Sequence, residues 1–172
     1  MSSPDQGILG NLVWVLPRPR MPYYKGGFPL HFEKRLWRLL GRPDPSLVVH
    51  PFGGMAEIGI RCDIKPEVNP DFVCDAHHLP FPDNSKQVVI CDPPYSNEEN
   101  KELYGNDGEL HFGQWASEAV RVCKPNGFVV MYHDRWLPKP AGTQYWMRII
   151  VMVSQHHRGR VCTIYQKDSV NE

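Results

Sequence analysis

Asp92-Pro93-Pro94-Tyr95 is the run in which residue type and spacing come closest to specifying a reaction. An acid, a rigid diproline and an aromatic ring follow an apolar stretch over residues 87–91. Proline stops strands and Asp favours turns, so a plain strand-ending turn accounts for one of the prolines. It does not account for two prolines held between a carboxylate and a flat ring. A chemical reading accounts for all four residues. An amino group on a heteroaromatic ring is a poor nucleophile, because its lone pair is delocalised into the ring. It attacks an electrophilic methyl group only as its nitrogen becomes more tetrahedral. Two acceptors for its two N–H bonds favour that geometry, and the Asp92 carboxylate and the Pro93 carbonyl can supply them. The fixed φ of proline preorganises both acceptors. Tyr95 offers a face on which a base can stack.

The elements that must position this run can be read from the apolar pattern. Strands are expected at residues 47–50, 60–64, 72–75, 87–92 and 128–132, with a shorter one at 12–16. Their near-continuous apolar character suits a sheet covered on both faces. Runs at about 145–154 and 160–166 predict a closing antiparallel pair. Phe32, Leu36, Leu39 and Leu40 recur at helical spacing, which predicts an amphipathic helix over 30–40, stopped by Gly41 and Pro43. A second helix is expected over about 110–123, with Leu110, Trp115, Ala119, Val120 and Val122 inward. Residues 96–109 read as a polar, acidic loop, and residues 124–127 as a turn. Asp63, Asp75 and Asp92 each close a strand candidate. One such acid is as readily a turn residue. Three in register point to one crevice, since ligands of open α/β sheets bind outside the carboxyl ends of the strands.

Asp92-Pro93-Pro94-Tyr95 resembles motif IV, the DPPY motif, of amino-methyltransferases, and Val49-His50-Pro51-Phe52-Gly53-Gly54-Met55-Ala56 resembles their motif I, usually Asp-Pro-Phe-x-Gly-x-Gly. In that alignment Pro51 and Phe52 coincide, Gly54 takes the first glycine position and Ala56 the second. The resemblance implies that S-adenosylmethionine is the cofactor, contacted by Pro51, Phe52, Gly53, Gly54 and Asp92. It implies that Asp63 bonds the ribose hydroxyls and that Asp75 and Ala76 contact the adenine. Lys25-Gly26-Gly27 with the helix over 30–40 loosely resembles motif X. The order X, I, IV then runs without permutation, over roughly residues 22–135. The implied fold is α/β: a Rossmann-like class I methyltransferase fold, mostly parallel, with a C-terminal antiparallel hairpin. The implied reaction is methylation of an exocyclic amino nitrogen, adenine N6 in DNA first. The catalytic set would be Asp92, Pro93, Pro94 and Tyr95, without a metal, acting on a flipped or single-stranded base. RNA or cytosine N4 is the alternative substrate. A silent nucleic-acid-binding or subunit protein of the same fold is the alternative class.

The sequence departs from that family in its connections. Only residues 53–59 separate the first two core strands, and only 65–71 the next two, too few for crossover helices. One or two crossover helices are therefore missing, which predicts a sheet face covered by the N-terminal arm or by a second copy in a homodimer. His50 stands where motif I usually has an acid. No stretch resembles a target-recognition domain. The 172 residues fit one domain, with 1–45 an N-terminal basic arm and helix and 46–172 a catalytic core. Charge is distributed unevenly. Residues 1–45 carry seven Lys/Arg and three Asp/Glu, residues 57–109 carry four and twelve, and residues 110–172 carry eight and four. A polyanion such as DNA or RNA would be held by the ends, not by the acidic centre. Arg18, Arg20, Lys25, Lys34, Arg35, Arg38 and Arg42, with Tyr23, Tyr24 and Trp37 interleaved, could track phosphates. Solvated helix charges explain the helical ones equally well. The five cysteines form no CxxC pair, which fits free thiols in a reducing cytoplasm. His77-His78 and His156-His157 lack a third ligand at suitable spacing, so no metal site is expected. No apolar run nears the roughly 18–20 residues of a membrane span, and no signal peptide is expected.

Overall fold

The computed structural model describes residues 10–19, 27–104, 109–153 and 159–169. Within them the chain runs β1 (Asn11–Leu16), α1 (Phe32–Leu39), β2 (Val48–His50), β3 (Ile60–Asp63), β4 (Phe72–Val73), β5 (Lys86–Cys91), α2 (Asn97–Tyr104), α3 (Phe112–Val122), β6 (Cys123–His133), β7 (Thr143–Val153) and β8 (Arg160–Lys167). The strands form one sheet in the order β1-β7-β8-β6-β5-β2-β3-β4. β2 pairs in parallel with β3 and β5, β3 with β4, and β5 with β6. β8 pairs antiparallel with β6 and β7, the expected closing hairpin. β1 adds a parallel edge strand against β7, with Asn11 opposite Arg148 and Leu16 opposite Val153. The chain reverses direction across the sheet between β2 and β5. That switch point is where open α/β sheets place their ligands.

Two cores lie on opposite faces of the sheet. On one, Phe32 and Leu36 of α1 and Leu40 just after it pack on Val48, Val88, Val130 and Ile164. Their spacing puts them on one stripe of the helix. The helix ends where Gly41 adopts φ +81°, a left-handed conformation that glycine takes without a Cβ penalty. On the other face, Trp115, Ala116, Ala119 and Val122 of α3 pack on Val49, Val89, Val129 and Met131. Trp115, Ala119 and Val122 are buried as expected, Leu110 and Val120 are half-buried, and Ala116 joins the core.

The connections differ from expectation in two places. Residues 97–104 form α2, not a loop. Ser96 caps it, its Oγ accepting from Glu99 N at 3.0 Å, while Glu99 Oε2 accepts from Tyr95 N at 2.6 Å. This is close to the Ser-x-x-Glu capping box, which satisfies the orphan N–H groups of a helix start. Residues 124–127 are an excursion within β6, not a terminal turn. The β5 partner shifts from Lys86 opposite Cys123 to Val88 opposite Phe128, and Asn126 takes φ +61°. α1, from the N-terminal segment, packs on one face and α3 on the other. Apolar side chains remain exposed at both sheet edges, among them Val13 and Val15 of β1 and Phe72 and Val73 of β4.

As the sequence spacing requires, no helix joins β2 to β3, and only a single 3-10 turn, Pro66–Val68, lies between β3 and β4. Charged side chains satisfy the backbone of these connections instead. Glu33 of α1 accepts from Glu57 N at 2.9 and 3.0 Å and from Ile58 N at 3.2 Å. The Arg61 guanidinium donates to the carbonyls of Gly54, Val68 and Asn69 at 3.0, 3.2 and 2.6 Å. Asp63 accepts from Gly54 N at 2.8 Å and Lys65 N at 3.0 Å. Unpaired backbone groups are costly, and charge-assisted bonds are the strong way to pair them.

Candidate active site

At the switch point the ends of four parallel strands open into one cleft of about 910 Å³, its open mouth included. Pro51, Phe52, Gly53 and Gly54, following β2, form its floor. Asp63 from β3, Asp75 and Ala76 after β4, and Asp92 and Pro94 after β5 line the walls. Phe28 from the arm, Asn100 from α2 and Leu110 before α3 close the sides. The segment 96–109, read from sequence as a polar, acidic loop, thus contributes Asn100 and Glu109, although residues 105–108 lie outside the described residues.

The floor is tight. A Cβ on Gly53 would lie 2.8 Å from Arg61 Cβ and 2.9 Å from its Cα. Gly53 N donates to Cys62 O at 2.6 Å, so the loop lies directly on β3. Phe52 packs edge-on against Trp115, with ring centroids 5.6 Å apart, which ties the floor to α3.

The Asp75 wall is braced from two sides. His77 donates from N and Nδ1 to Asp75 Oδ1 at 2.9 and 2.6 Å, and its Nε2 accepts from His111 N at 3.1 Å. Arg121 of α3 reaches back to the carbonyls of Leu79 and Phe81 at 3.1 and 2.9 Å, and to Asp83 and Glu118 at 2.7 and 2.6 Å. Sequence reading missed both braces. His77 was visible only as half of a His-His pair, and Arg121 only as a polar position on an amphipathic helix.

The Asp92 loop has a different setting. Pro93 is buried, and neither it nor Tyr95 is among the residues that line the cleft. The Tyr95 ring meets His133 edge-on at 4.8 Å, and its hydroxyl accepts from Arg160 Nε at 2.9 Å. Burial pushes the Asp92 carboxyl well above the usual carboxylate range. Arg160 pulls it down and Glu99 pushes it up. Among the described residues none donates a hydrogen bond to that carboxylate. The sequence places His133-Asp134 at a strand end that could border the site, and it marks neither Arg160 nor Glu99 for these roles. The Ser96-x-x-Glu99 box was the available signal for Glu99, and nothing in sequence marked Arg160.

His50, at the end of β2, is fully buried. Its Nε2 donates to Ile58 O at 2.8 Å, and its Nδ1 has no hydrogen-bond partner among the described residues. Burial lowers its pKa to about 4, so the ring is neutral. It packs against Phe28, and so supports the cleft from behind. Of the basic arm, Arg20, Tyr23, Tyr24, Lys25 and Gly26 lie outside the described residues, as do His156 and His157.

No protein-family model matches the chain, and no curated protein matches it. Solved structures do. The chain is similar to a SAM dependent methyltransferase from Aquifex aeolicus, with TM-score 0.52 and 13% identity over 79% of this chain and 89% of that one. It is similar to a chain in the complex between the Haloferax volcanii Trm112 methyltransferase activator and a methyltransferase, with TM-score 0.58 and 13% identity over 83% and 90%. It is similar to TrmN from Thermus thermophilus, with TM-score 0.54 and 14% identity over 97% and 75%. The chain has the Rossmann-like class I methyltransferase fold. Among the described residues no helix is long and apolar enough to cross a membrane.

Proposed function

We propose that the chain is an S-adenosylmethionine-dependent methyltransferase acting on an exocyclic amino nitrogen, with adenine N6 in DNA as the first substrate. One observation carries the reading: Asp92 and Pro94 line the same cleft as the Gly53–Gly54 floor and the strand-end acids Asp63 and Asp75. The donor set suits the cofactor. Gly53 leaves no room for a side chain where backbone must come close. The Asp63 oxygens, each holding one backbone N–H, keep lone pairs for ribose hydroxyls. S-adenosylmethionine supplies a methyl group on a positively charged sulfur.

The chain's own residues orient and receive the nucleophile. The Asp92 carboxylate and the Pro93 carbonyl each accept one N–H of the target amine, which frees the lone pair for attack. With S-adenosylmethionine held by Gly53, Gly54, Asp63 and Asp75, its methyl group would pass to that nitrogen, and the electron pair of the broken C–S bond would stay on sulfur. The nitrogen then loses a proton, and Asp92, whose proton affinity burial has raised, receives it. Beyond β6, the exposed Arg135 reaches Tyr95 O with its Nη2 at 3.4 Å, and the adjacent Trp136 is exposed with the Arg148 guanidinium 3.0 Å from its ring centroid. A cation beside an exposed aromatic ring suits a single-stranded or flipped nucleotide.

The test is transfer of labelled methyl to DNA and to RNA, followed by nucleoside analysis. The expected product is N6-methyladenine in DNA. Asp92→Ala should lower kcat by about a hundredfold or more, the scale of a lost preorganised acceptor, while calorimetry still detects cofactor binding. Methylation of RNA alone would overturn the DNA assignment. Full activity in Asp92→Ala would overturn the mechanism.

A further inference from the structure

We propose that Arg160 is a positioning residue of this site: from the start of β8 it holds the Tyr95 hydroxyl and brings its positive charge to the loop that carries the half-buried Asp92. The inference rests on the reading of Asp92 as the amine acceptor. Its geometry is independent of any resemblance. Arg160 Nε donates to Tyr95 Oη at 2.9 Å, and its guanidinium carbon lies 4.9 Å from the Tyr95 ring centroid. β8 is the last strand of the sheet in sequence, 68 positions beyond Asp92, and it is inserted beside β6. The antiparallel register places Val161 opposite His133, and so brings the start of β8 to the C-terminal ends of the parallel strands.

The elements packed around Asp92 bring groups of both charge signs. Its own loop brings Tyr95 and α2 brings Glu99. β6 brings Tyr132 and β8 brings Cys162, both of which Asp92 holds in their neutral forms together with burial. Arg160 is the cation of this set, and His133 and Asp134 from the end of β6 flank it in turn. A carboxylate that must accept N–H bonds has to be ionised, while burial and the neighbouring Glu99 both oppose ionisation. A guanidinium is suited to oppose them, because it stays charged when partly buried and its planar fork fixes the neighbouring ring. Arg160 thus serves the two ends of the motif together, by charge at Asp92 and by hydrogen bond at Tyr95.

The experiment is a carboxyl-carbon NMR titration of the Asp-labelled chain, with Asp92 assigned by Asp92→Asn. It is run on the wild type, Arg160→Gln and Arg160→Lys, and kcat is measured across the same pH range. In Arg160→Gln the Asp92 midpoint should rise by about one pH unit. The acid limb of kcat should move with it, kcat at pH 7 should fall about tenfold, and cofactor affinity should stay within about twofold. Arg160→Lys should restore most of the midpoint, because it restores the charge. An unmoved midpoint in Arg160→Gln overturns the proposal, and so does a moved midpoint that Lys fails to restore. If the wild type methylates neither DNA nor RNA, the functional reading fails, while the titration still decides whether Arg160 governs Asp92.

Discussion

His50 Nε2 and Glu33 Oε1 lie 3.8 Å apart beneath the cleft floor, and burial acts on the two groups in opposite senses for folding. Glu33 is raised by burial to about 6, and His50 is lowered by burial to about 4. For His50 the unfolded chain takes up a proton near its ordinary value of 6.5, before the folded protein does. Stability is therefore full above that pH and is lost as pH falls from 6.5 towards 4. For Glu33 the folded protein takes up the proton first. Stability is then gained as pH falls from about 6 towards its ordinary 4.5. The histidine shift is the larger, so acidification destabilises on balance. His50→Gln keeps a donor for Ile58 O and cannot ionise. Between pH 7 and pH 5 the variant should lose about 2 kcal/mol less than the wild type, by urea unfolding at each pH. Equal losses would mean that another group sets the acid sensitivity. His50 was visible in sequence as a departure from motif I, but its partner was not. Glu33 lies on a different element, and only folding brings it to the loop.

At the scale of elements, two connections do without a helix because charged side chains take over its hydrogen bonding. Arg61 alone joins three carbonyls across both connections. Arg61→Met keeps much of the aliphatic stem and removes the donors. It should cost at least about 2 kcal/mol by thermal or urea unfolding, since bonds to charged groups are each worth roughly 1.5–3 kcal/mol. It should also weaken cofactor binding by calorimetry, because Gly54, whose carbonyl Arg61 holds, lines the cleft. A stable variant with unchanged affinity would show that the short loops hold themselves. The shortness of these connections was legible by counting residues between apolar runs. The stitching was not, because Arg61 sits inside a strand and reads there as a solvated polar position. α2 was legible in principle. Its Ser96-x-x-Glu99 box was present in the sequence, but the polar stretch that followed had no apolar stripe to mark it as a helix. Strand existence was read well because buried parallel strands are continuously apolar. β4 was read two residues too long, because Cys74 and Asp75 leave the sheet to reach the cleft.

At the scale of the whole molecule, Phe32 joins parts that are distant in sequence. It is fully buried on α1 and packs against Trp14 of β1 at 6.0 Å, Phe28 of the arm at 5.0 Å and Tyr132 of β6 at 4.8 Å. Through Trp14 it anchors the edge strand that ends the sheet beyond β7. Through Phe28 it shapes a wall of the cleft, since Phe28 faces both Phe32 and the cavity. Through Tyr132 it touches the strand that carries His133 to the Asp92 loop. In a chain with few covering helices, this aromatic cluster does work that a second layer of helix would otherwise share. Phe32→Ala removes a large ring from a site closed on every side, and should cost about 3–5 kcal/mol in urea unfolding. Phe32→Leu keeps most of the volume and should cost clearly less, so the pair separates cavity formation from a general failure to fold. If the cluster also positions the cleft, Phe32→Leu should lower cofactor affinity severalfold while most of its stability remains. Unchanged affinity in Phe32→Leu would confine the cluster to stability. It would then leave the shape of the cleft to the glycine floor and to the acids at the strand ends.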